Sequence, residues 1–544
     1  MKQLSGMDAT FLYMETPETP MHVAGLTMYE LPEGFKGTFH AHFKKFFAGR
    51  VHLIPIFGMK LAKSVMQIDH PGWVDAGDID LDYHIQSATL PKPGSWKQVE
   101  EMVGALHSQL LDRKKPLWQF TVIEGLEDGR VGLYSKVHHA AVDGGAGMVI
   151  TKALYDLTPE PREVEPPQPK VVERKPTTPE RAILGMHDLA TNLIRQQMRM
   201  VEGIPKAAGQ LTDLIAPALK GGIGLPQILS PKTPFNGTIS GERSYSARTV
   251  SFKDAKAICE ATGVKINDVV MATCSGALRK YLNDKNILPD AALTAFVPIS
   301  MRELGNTDIN NQVFGMNCAL ATNYSDPVKR LTKINGDSRS SKTMASSVKD
   351  VAPNDFTVLG APMLLPGLMQ LLGKTGLADI APNPVNVTIS NTMGPPVPLY
   401  CAGAKVTSLY PVSIPIHGVG LNFTVQSYMG QLDFGVTADA KSVPDADLVG
   451  DLLVYAFDEL YEAVLGKREK TEAAPVAKPT TKKPAARKST VKPAAKAATK
   501  TTTKVATKTA PKTARKTTAK AAAKPAAKPR ATRAKADSKP AADG

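Results

Sequence analysis

The chain has 544 residues and a formal net charge of +15. Residues 467–544 hold 23 Lys and Arg against 4 Asp and Glu, a net charge of +19, which leaves −4 for residues 1–466. The basic balance therefore belongs to a terminal appendage, and the body is long enough for two large domains. The sequence has no apolar run of about 18 residues, which excludes an ordinary membrane-spanning helix.

The amino terminus and the cysteines indicate a reducing compartment. Residues 1–8 lack the apolar core of a secretory signal, so we expect a cytoplasmic protein or one attached to lipid from the cytoplasmic side. No cysteine has a Cys-x-x-Cys spacing and most of their neighbours are apolar, so we expect buried free thiols. The four are Cys259, Cys274, Cys318 and Cys401.

Residues 1–158 are predicted to form a first α/β domain. Residues 119–125 and 131–137 alternate between apolar and polar side chains on either side of Asp128-Gly129. This pattern predicts a β-hairpin. A helix is predicted over residues 148–157.

Residues 159–244 are predicted to connect two domains. Seven prolines among charged residues in 159–179 indicate an extended connector. Residues 181–217 then place apolar side chains at helical spacing. The linker helix is expected either to pack across the body or to lie on a lipid surface.

Residues 245–466 are predicted to form a second α/β domain. Strands are expected at 246–252, 293–299, 384–390, 418–425 and 431–437, and helices at 254–261, 266–283 and 444–465. Residues 358–373 are apolar but interrupted by Gly and Pro. That segment fits buried core, the wall of an acyl tunnel, or insertion into a lipid monolayer.

Residues 467–544 consist almost entirely of Lys, Ala, Thr and Pro. Eleven lysines recur at every fourth position from Lys488 to Lys528. Prolines interrupt any long helix, and the segment has almost no apolar bulk to bury. We therefore expect a disordered, strongly basic tail.

The segment His138-His139-Ala140-Ala141-Val142-Asp143-Gly144 is the main candidate for chemistry. It follows a predicted strand, where neighbouring side chains point to opposite faces. One histidine is thus able to face a cleft and act as a general base near neutral pH, and the other to support the fold. A metal site is disfavoured because adjacent histidines diverge and no third ligand is close in sequence. The spacing alone leaves the role of His139 open.

The same signature, His-His-x-x-x-Asp-Gly, resembles that of acyltransferases related to chloramphenicol acetyltransferase and to condensation domains. Over nearly all of residues 1–466 the chain resembles bacterial wax ester synthase/acyl-CoA:diacylglycerol acyltransferases. The resemblance rests on several further motifs in the same order. They are Leu4-Ser5-Gly6-Met7-Asp8-Ala9, Glu15-Thr16-Pro17-Glu18-Thr19-Pro20-Met21-His22-Val23, Pro116-Leu117-Trp118, Asn267-Asp268, Val297-Pro298-Ile299-Ser300-Met301-Arg302, Asn386-Val387-Thr388-Ile389-Ser390-Asn391 with Gly394-Pro395, and Asp433-Phe434-Gly435.

This resemblance implies a mixed α/β (α+β) fold of two chloramphenicol acetyltransferase-like domains with a tunnel between them. Acyl-CoA is then a substrate, no cofactor is needed, and the acceptor is diacylglycerol, a long-chain alcohol or both. His139 matches the catalytic base, while His138 and Asp143 support the site. Asp143 is expected to hold the loop, with Arg302 as a candidate partner.

Other candidate residues carry two interpretations each. Asn267 and Asp268 open the predicted helix 266–283, so they either cap it or, for Asn267, bind the oxyanion or orient His139. Candidate substrate-binding residues are Pro116, Leu117, Trp118, Asp268, Ser390 and Asn391. Two other functions stay open: an acyltransferase that takes its acyl group from a carrier protein, and a non-catalytic lipid-granule protein tethered to DNA.

The tail departs from the family pattern and resembles linker-histone tails. A flexible polycation binds phosphate polymers or anionic lipid surfaces by releasing counterions. We therefore expect DNA or anionic lipid as the partner of the tail, and the alternative is a solubilising tail without a partner. The enzyme is expected to lie on lipid droplets or on the inner face of a membrane.

Overall fold

The computed structural model describes residues 2–62, 70–142, 146–167, 229–300, 313–348, 367, 371, 373–380 and 382–467. These residues belong to one compact unit, which spans Met1–Thr471. Several features predicted above lie outside the described residues. They are Asp143, Arg302, the linker helix 181–217, most of segment 358–373, and the basic tail.

Among the described residues there are ten α-helices and fifteen strands. The helices are α1 (Gly6–Met14), α2 (Phe39–Ala48), α3 (Leu81–His84), α4 (Trp96–Ser108), α5 (Ala146–Leu154), α6 (Phe252–Thr262), α7 (Ile266–Asp284), α8 (Pro327–Val348), α9 (Leu377–Ile380) and α10 (Ala446–Leu465). The strands are β1 (Lys2–Gln3), β2 (His22–Glu30), β3 (Met59–Ala62), β4 (Gly72–Asp75), β5 (Ile85–Thr89), β6 (Trp118–Glu124), β7 (Val131–His138), β8 (Arg243–Ser251), β9 (Thr294–Ser300), β10 (Val313–Ala319), β11 (Val387–Met393), β12 (Tyr400–Cys401), β13 (Ala404–Val412), β14 (Leu421–Tyr428) and β15 (Gln431–Asp439).

Local hydrogen bonds determine where several helices begin and end. At α1, the Ser5 side chain accepts the Asp8 backbone N–H at 3.1 Å, which satisfies one of the free donors of the first turn. At α4, the Gln98 side chain accepts the Ser95 backbone N–H at 2.7 Å. Helix α6 ends at Gly263 with φ 71°, a left-handed conformation that glycine adopts without steric cost.

Two six-stranded sheets organise the described part of the chain. The first has the order β12-β13-β2-β7-β6-β5, and the second has the order β10-β9-β11-β14-β15-β8. Most neighbours are antiparallel, but β5–β6, β9–β11 and β11–β14 are parallel pairs. A small third sheet joins β1, β4 and β3.

Several sequence predictions are confirmed. The hairpin predicted over 119–125 and 131–137 is β6 and β7, paired antiparallel with Trp118 opposite Val137. The five strands and three helices predicted in 245–466 correspond to β8, β9, β11, β14, β15, α6, α7 and α10. All four cysteines are free, and all except Cys259 are buried. No helix in the described part of the chain is both long and apolar enough to cross a membrane.

A crossover strand joins the two halves of the chain. Strand β13, which lies within the predicted second domain, pairs antiparallel with β2 of the first sheet from Lys405 opposite Glu30 to Val412 opposite Ala24. This strand was not predictable from its sequence pattern, for two physical reasons. An irregularity between Val406 and Ser408 breaks the period-two pattern, and Pro411 argues against an internal strand.

The Asp433-Phe434-Gly435 motif lies where β13 crosses β15. A Cβ placed on Gly435 would lie 1.7 Å from the Pro411 carbonyl oxygen, so only glycine fits this crossing. The Asp433 carboxylate accepts the Leu409 N–H at 2.8 Å and the Thr249 hydroxyl at 2.6 Å. Burial raises the pKa of Asp433 to about 6, against the opposing effect of these hydrogen bonds. The motif therefore joins the two sheets.

The first sheet carries a hydrophobic core on each face. Because alternate residues of a strand point to opposite faces, odd-numbered residues of β7 face one core and even-numbered residues face the other. The first core, here the α1/α5 core, includes Ala9, Leu12, Leu133, Val137, Ala140, Leu154, Leu399 and Leu409. The second, the α4 core, includes Leu26, Val99, Val103, Tyr134 and Tyr410.

Candidate active site

The two histidines of the motif lie where β7 ends and a 3-10 turn begins. His138 is the last residue of β7, and His139–Ala141 form the turn. The His138 backbone N–H donates to the Leu117 carbonyl at 2.9 Å, and the His139 N–H donates to the Met21 carbonyl at 2.8 Å. Segments leading into β6 and β2 therefore fix the backbone of the pair from both sides.

His138 is fully buried and its ring is held at both nitrogens. Its Nδ1 accepts the Ala140 backbone N–H at 3.1 Å, so this nitrogen carries no hydrogen. The other ring nitrogen, Nε2, lies 3.1 Å from Glu15 Oε2. The alignment falls short of a regular hydrogen bond, and the contact is chiefly electrostatic. These contacts are consistent with the predicted supporting role of His138.

Glu15 is a buried carboxylate that sequence reasoning did not assign to the site. Its Oε1 accepts the Arg113 Nε–H at 2.8 Å, and its Oε2 accepts the Met21 N–H at 3.3 Å. Burial by itself would raise the pKa of Glu15, but His138 and Arg113 outweigh burial and hold it below its usual value. An ionised Glu15 therefore contacts the ring of His138 directly and is linked to the backbone of His139 through Met21.

The His139 ring is partly buried and stacks on an aromatic side chain of α1. The ring centroids of His139 and Phe11 are 3.9 Å apart, with an interplanar angle of 16°. The Nδ1 atom is buried and has no hydrogen-bond partner among the described residues. The pKa of His139 is lowered to about 4, chiefly by burial and in part by the neighbouring His138, while the His139 backbone opposes the shift. The imidazole is therefore neutral near pH 7, the form that accepts a proton.

Other buried polar groups anchor helix α4 beneath this end of the sheet. His22 Nε2 and the His107 carbonyl oxygen are 2.8 Å apart. The Lys136 Nζ donates to the Leu106 and Gln109 carbonyls at the carboxyl end of α4, where a cation is favourable. Burial lowers the pKa of Lys136 to about 8 and that of His107 to about 3. These groups hold α4 against β2 and β7.

The structure gives Asp268 a capping role. Its Oδ2 accepts the Lys265 backbone N–H at 3.0 Å and the Asn335 side-chain N–H at 2.8 Å at the start of α7. This geometry matches the capping interpretation. Asn267 is half-buried, and no hydrogen bond joins it to His139 among the residues described.

The Pro116-Leu117-Trp118 motif lies in the core at the start of β6. Leu117 supplies the carbonyl that holds His138. The Trp118 ring stacks between Phe57 and His84 at centroid distances of 4.6 and 4.2 Å, and its indole N–H donates to the Phe57 carbonyl. These residues shape the sheet that carries the histidines, and substrate contact by them stays a prediction.

Ser390 and Asn391 lie in β11 of the second sheet. They are opposite Thr424 and Val425 of β14 in the parallel pair. Both are half-buried, and the described residues show no hydrogen bond from either one to the histidine pair. Their contact with substrate stays a prediction.

A metal-binding arrangement is absent from the described part of the chain. No group of three or more His, Cys, Asp or Glu side chains there is arranged to hold an ion.

Two sheets joined by a crossover strand, with a histidine pair at a strand end, agree with the chloramphenicol acetyltransferase-like acyltransferase fold that the resemblance implies. Comparisons with known proteins narrow this class. A family model described as the wax ester synthase/diacylglycerol acyltransferase catalytic domain matches residues 4–270. The model of the C-terminal domain of the same family matches residues 309–461.

Individual relatives agree with the family models. A Mycobacterium tuberculosis protein named "probable diacyglycerol O-acyltransferase tgs2" is 33% identical over 463 residues, which are 84% of this chain and 98% of that protein. The solved wax ester synthase/diacylglycerol acyltransferase from Marinobacter aquaeolei VT8 is 29% identical, with a TM-score of 0.61. That match covers 84% of this chain and 98% of the other. The chain belongs to the wax ester synthase/diacylglycerol acyltransferase family, as the resemblance predicted, and it is an acyltransferase.

Proposed function

We propose that this enzyme transfers a fatty acyl group from acyl-CoA to the hydroxyl of diacylglycerol or of a long-chain alcohol, with His139 as the general base. The products are triacylglycerol or wax ester. One observation carries the choice of base. His139 is a partly buried, neutral imidazole whose backbone is fixed on both sides at a strand end. The names of the relatives support the substrates.

The proposed reaction needs one base and no covalent enzyme intermediate. Because Nδ1 is buried, we assign proton transfer to Nε2 of His139. This nitrogen takes the proton of the acceptor hydroxyl as the hydroxyl oxygen attacks the thioester carbonyl carbon. The tetrahedral oxyanion then collapses, the carbon–sulfur bond breaks, and the CoA thiolate receives the proton from His139. Acyl-CoA is a substrate, and no cofactor takes part.

The remaining site roles rest on the sequence and the family. Asp143 is proposed to hold the loop after the turn, with Arg302 as its partner. Asn267 is proposed to bind the oxyanion or to orient His139. A tunnel between the two domains is proposed to position both lipids, and such positioning supplies much of the rate.

A competition assay tests the substrates. Purified enzyme is given one labelled acyl-CoA together with diacylglycerol and hexadecanol, and labelled triacylglycerol and wax ester are separated and counted. We expect one or both esters from free acyl-CoA. If no ester forms with acyl-CoA but ester forms with an acylated carrier protein, the CoA donor is wrong and the carrier-protein alternative replaces it.

We further propose that the basic tail binds DNA or an anionic lipid surface, and that the enzyme works at a lipid droplet or at the inner face of a membrane. The support is the net charge of +19 over residues 467–544. Binding of this kind depends on counterion release and weakens steeply as salt rises.

Truncation after Leu465 tests the tail separately. We expect the truncated enzyme to retain its turnover and to lose salt-sensitive binding to DNA or to anionic vesicles. Both are measured on the full chain and the truncated chain at two salt concentrations. Equal DNA and vesicle binding by the two proteins would disprove the proposed role of the tail.

A further inference from the structure

A small cavity lies on the sheet that carries the histidines. Its volume is about 160 Å³, and it lies on the β2–β7–β13 face beneath α5. Its walls include Gly25, Ser135, Leu154, Leu399 and Leu409. The three leucines belong to the α1/α5 core.

The cavity lies on the same side of the sheet as the ring that stacks on His139. Ser135 and Val137 both have odd positions in β7, so they share a face. Phe11, which stacks on His139, packs against the α1/α5 core, as do the leucine walls of the cavity. Ser135 precedes His139 by four residues, which is about 13 Å along an extended strand. A flexible chain that begins at His139 is long enough to reach the cavity.

The hydroxyl groups of Ser135, Thr27, Tyr155 and Thr151 at the cavity are already hydrogen-bonded within the protein. The Ser135 hydroxyl donates to the Gly25 carbonyl at 3.2 Å. The Thr27 and Tyr155 hydroxyls are 3.1 Å apart, and the Thr151 hydroxyl donates to the Gly147 carbonyl at 2.8 Å. These hydroxyls are therefore engaged, and the leucine walls offer a guest methyl and methylene groups. This chemistry suits a hydrocarbon.

The cavity exists in part because Gly25 has no side chain. A Cβ built on Gly25 has only ordinary contacts, with Ser135 Oγ at 3.6 Å and the Tyr410 carbonyl oxygen at 4.0 Å. A small side chain therefore fits at this position without distorting the sheet, but a larger one would occupy the cavity. Position 25 thus controls the cavity volume.

We propose that this cavity receives the methyl end of a lipid chain and that Gly25 limits the chain length that the enzyme uses. The inference rests on the proposed function, because it requires a lipid chain to extend from His139. The chain is a hydrocarbon supplied either by the acyl donor or by the alcohol acceptor.

The test compares chain-length selectivity in Gly25→Val and wild-type enzyme. In one arm, dodecanoyl-CoA and hexadecanoyl-CoA are compared at a fixed acceptor; in the other, dodecanol and hexadecanol are compared at a fixed donor. Each excluded methylene costs about fourfold in affinity, from about 0.8 kcal/mol per buried CH₂. We expect the kcat/KM ratio of the long to the short substrate to fall by about fourfold or more in one arm. The arm that shifts identifies which chain enters the cavity.

Ala24→Val is the matched control, because Ala24 is the neighbour of Gly25 in β2 and points to the α4 core. It should keep the wild-type ratio in both arms. If Gly25→Val does not fold, as judged by its melting transition, Gly25→Ala carries the same test with a smaller shift. An unchanged ratio in both arms for a folded Gly25 variant overturns the inference and leaves the proposed function standing. A wild-type enzyme that forms no ester overturns both.

Discussion

The His139→Ala variant is expected to lose about 10²- to 10⁴-fold in kcat for ester formation, the usual contribution of a positioned base. The His139 backbone contributes the hydrogen bond to Met21, and alanine retains it. The turn and the sheet should therefore persist. Turnover of labelled acyl-CoA and a melting transition, measured on the same preparation, separate lost chemistry from lost structure.

His42→Ala provides the control, because His42 is an exposed histidine on α2. It should keep wild-type turnover. Ester formation at the wild-type rate by a folded His139→Ala enzyme would contradict the assignment of the base. A wild-type enzyme that binds lipid but forms no ester would instead favour the non-catalytic tethering alternative.

The pH profile should reflect the burial of His139. A base works in its deprotonated form, so activity is lost as pH falls through the pKa. Since burial lowers the pKa of His139 to about 4, kcat/KM should stay level between about pH 8 and about pH 6 and decline only toward pH 4. A midpoint of the kcat/KM decline at about pH 6.5, the pKa of an exposed histidine, would be inconsistent with the buried ring.

Replacement of Glu15 should affect activity through the position of the histidines. In Glu15→Ala, the buried Met21 N–H and the His138 ring lose their carboxylate, which costs about 1–3 kcal/mol for each unsatisfied group. In Glu15→Gln, the amide oxygen still accepts from Met21, but the negative charge beside His138 is gone. We expect Glu15→Gln to fold and to lose about 10- to 100-fold in kcat with little change in KM, because small displacements of a reacting group are costly.

The glutamine variant distinguishes positioning from simple support of the fold. If Glu15 only stabilises the protein, Glu15→Gln will melt at a lower temperature yet keep the wild-type kcat. Arg113→Met is a useful companion because it removes the cation that contacts Glu15 and leaves His138 untouched. Its kcat should fall less than that of Glu15→Gln.

The parts of the fold that local patterns encode were predictable. Strands β6 and β7 alternate in hydrophobicity on either side of an Asp-Gly turn, and helix α7 carries the capping residue Asp268 in its first turn. Strand β13 was missed because its irregular register and its proline hide the alternation. The Asp433 and Gly435 positions were recognised from the family, and only the three-dimensional crossing explains why those residues are required.

The residues of the candidate site were likewise predictable only in part. His139 was predicted from the motif and the resemblance, and its backbone geometry follows from the end of a strand. Glu15 and Arg113 were missed because Glu15 contacts His138, and Arg113 contacts Glu15, from segments far apart in sequence. No spacing rule connects such residues. The pKa of His139 depends on burial against Phe11, which sequence also does not reveal.

The crossover strand has a consequence for how the protein is made. Until residues 404–412 leave the ribosome, β2 has β7 on one side and an unpaired edge on the other. Exposed edges of this kind invite pairing with other chains, and contacts between distant segments form slowly. The sheet that carries the histidines therefore becomes complete only late in synthesis, when β13 pairs with β2. Expression of residues 1–158 alone should yield an aggregation-prone fragment, because neither half of the chain holds a complete sheet for the histidine pair.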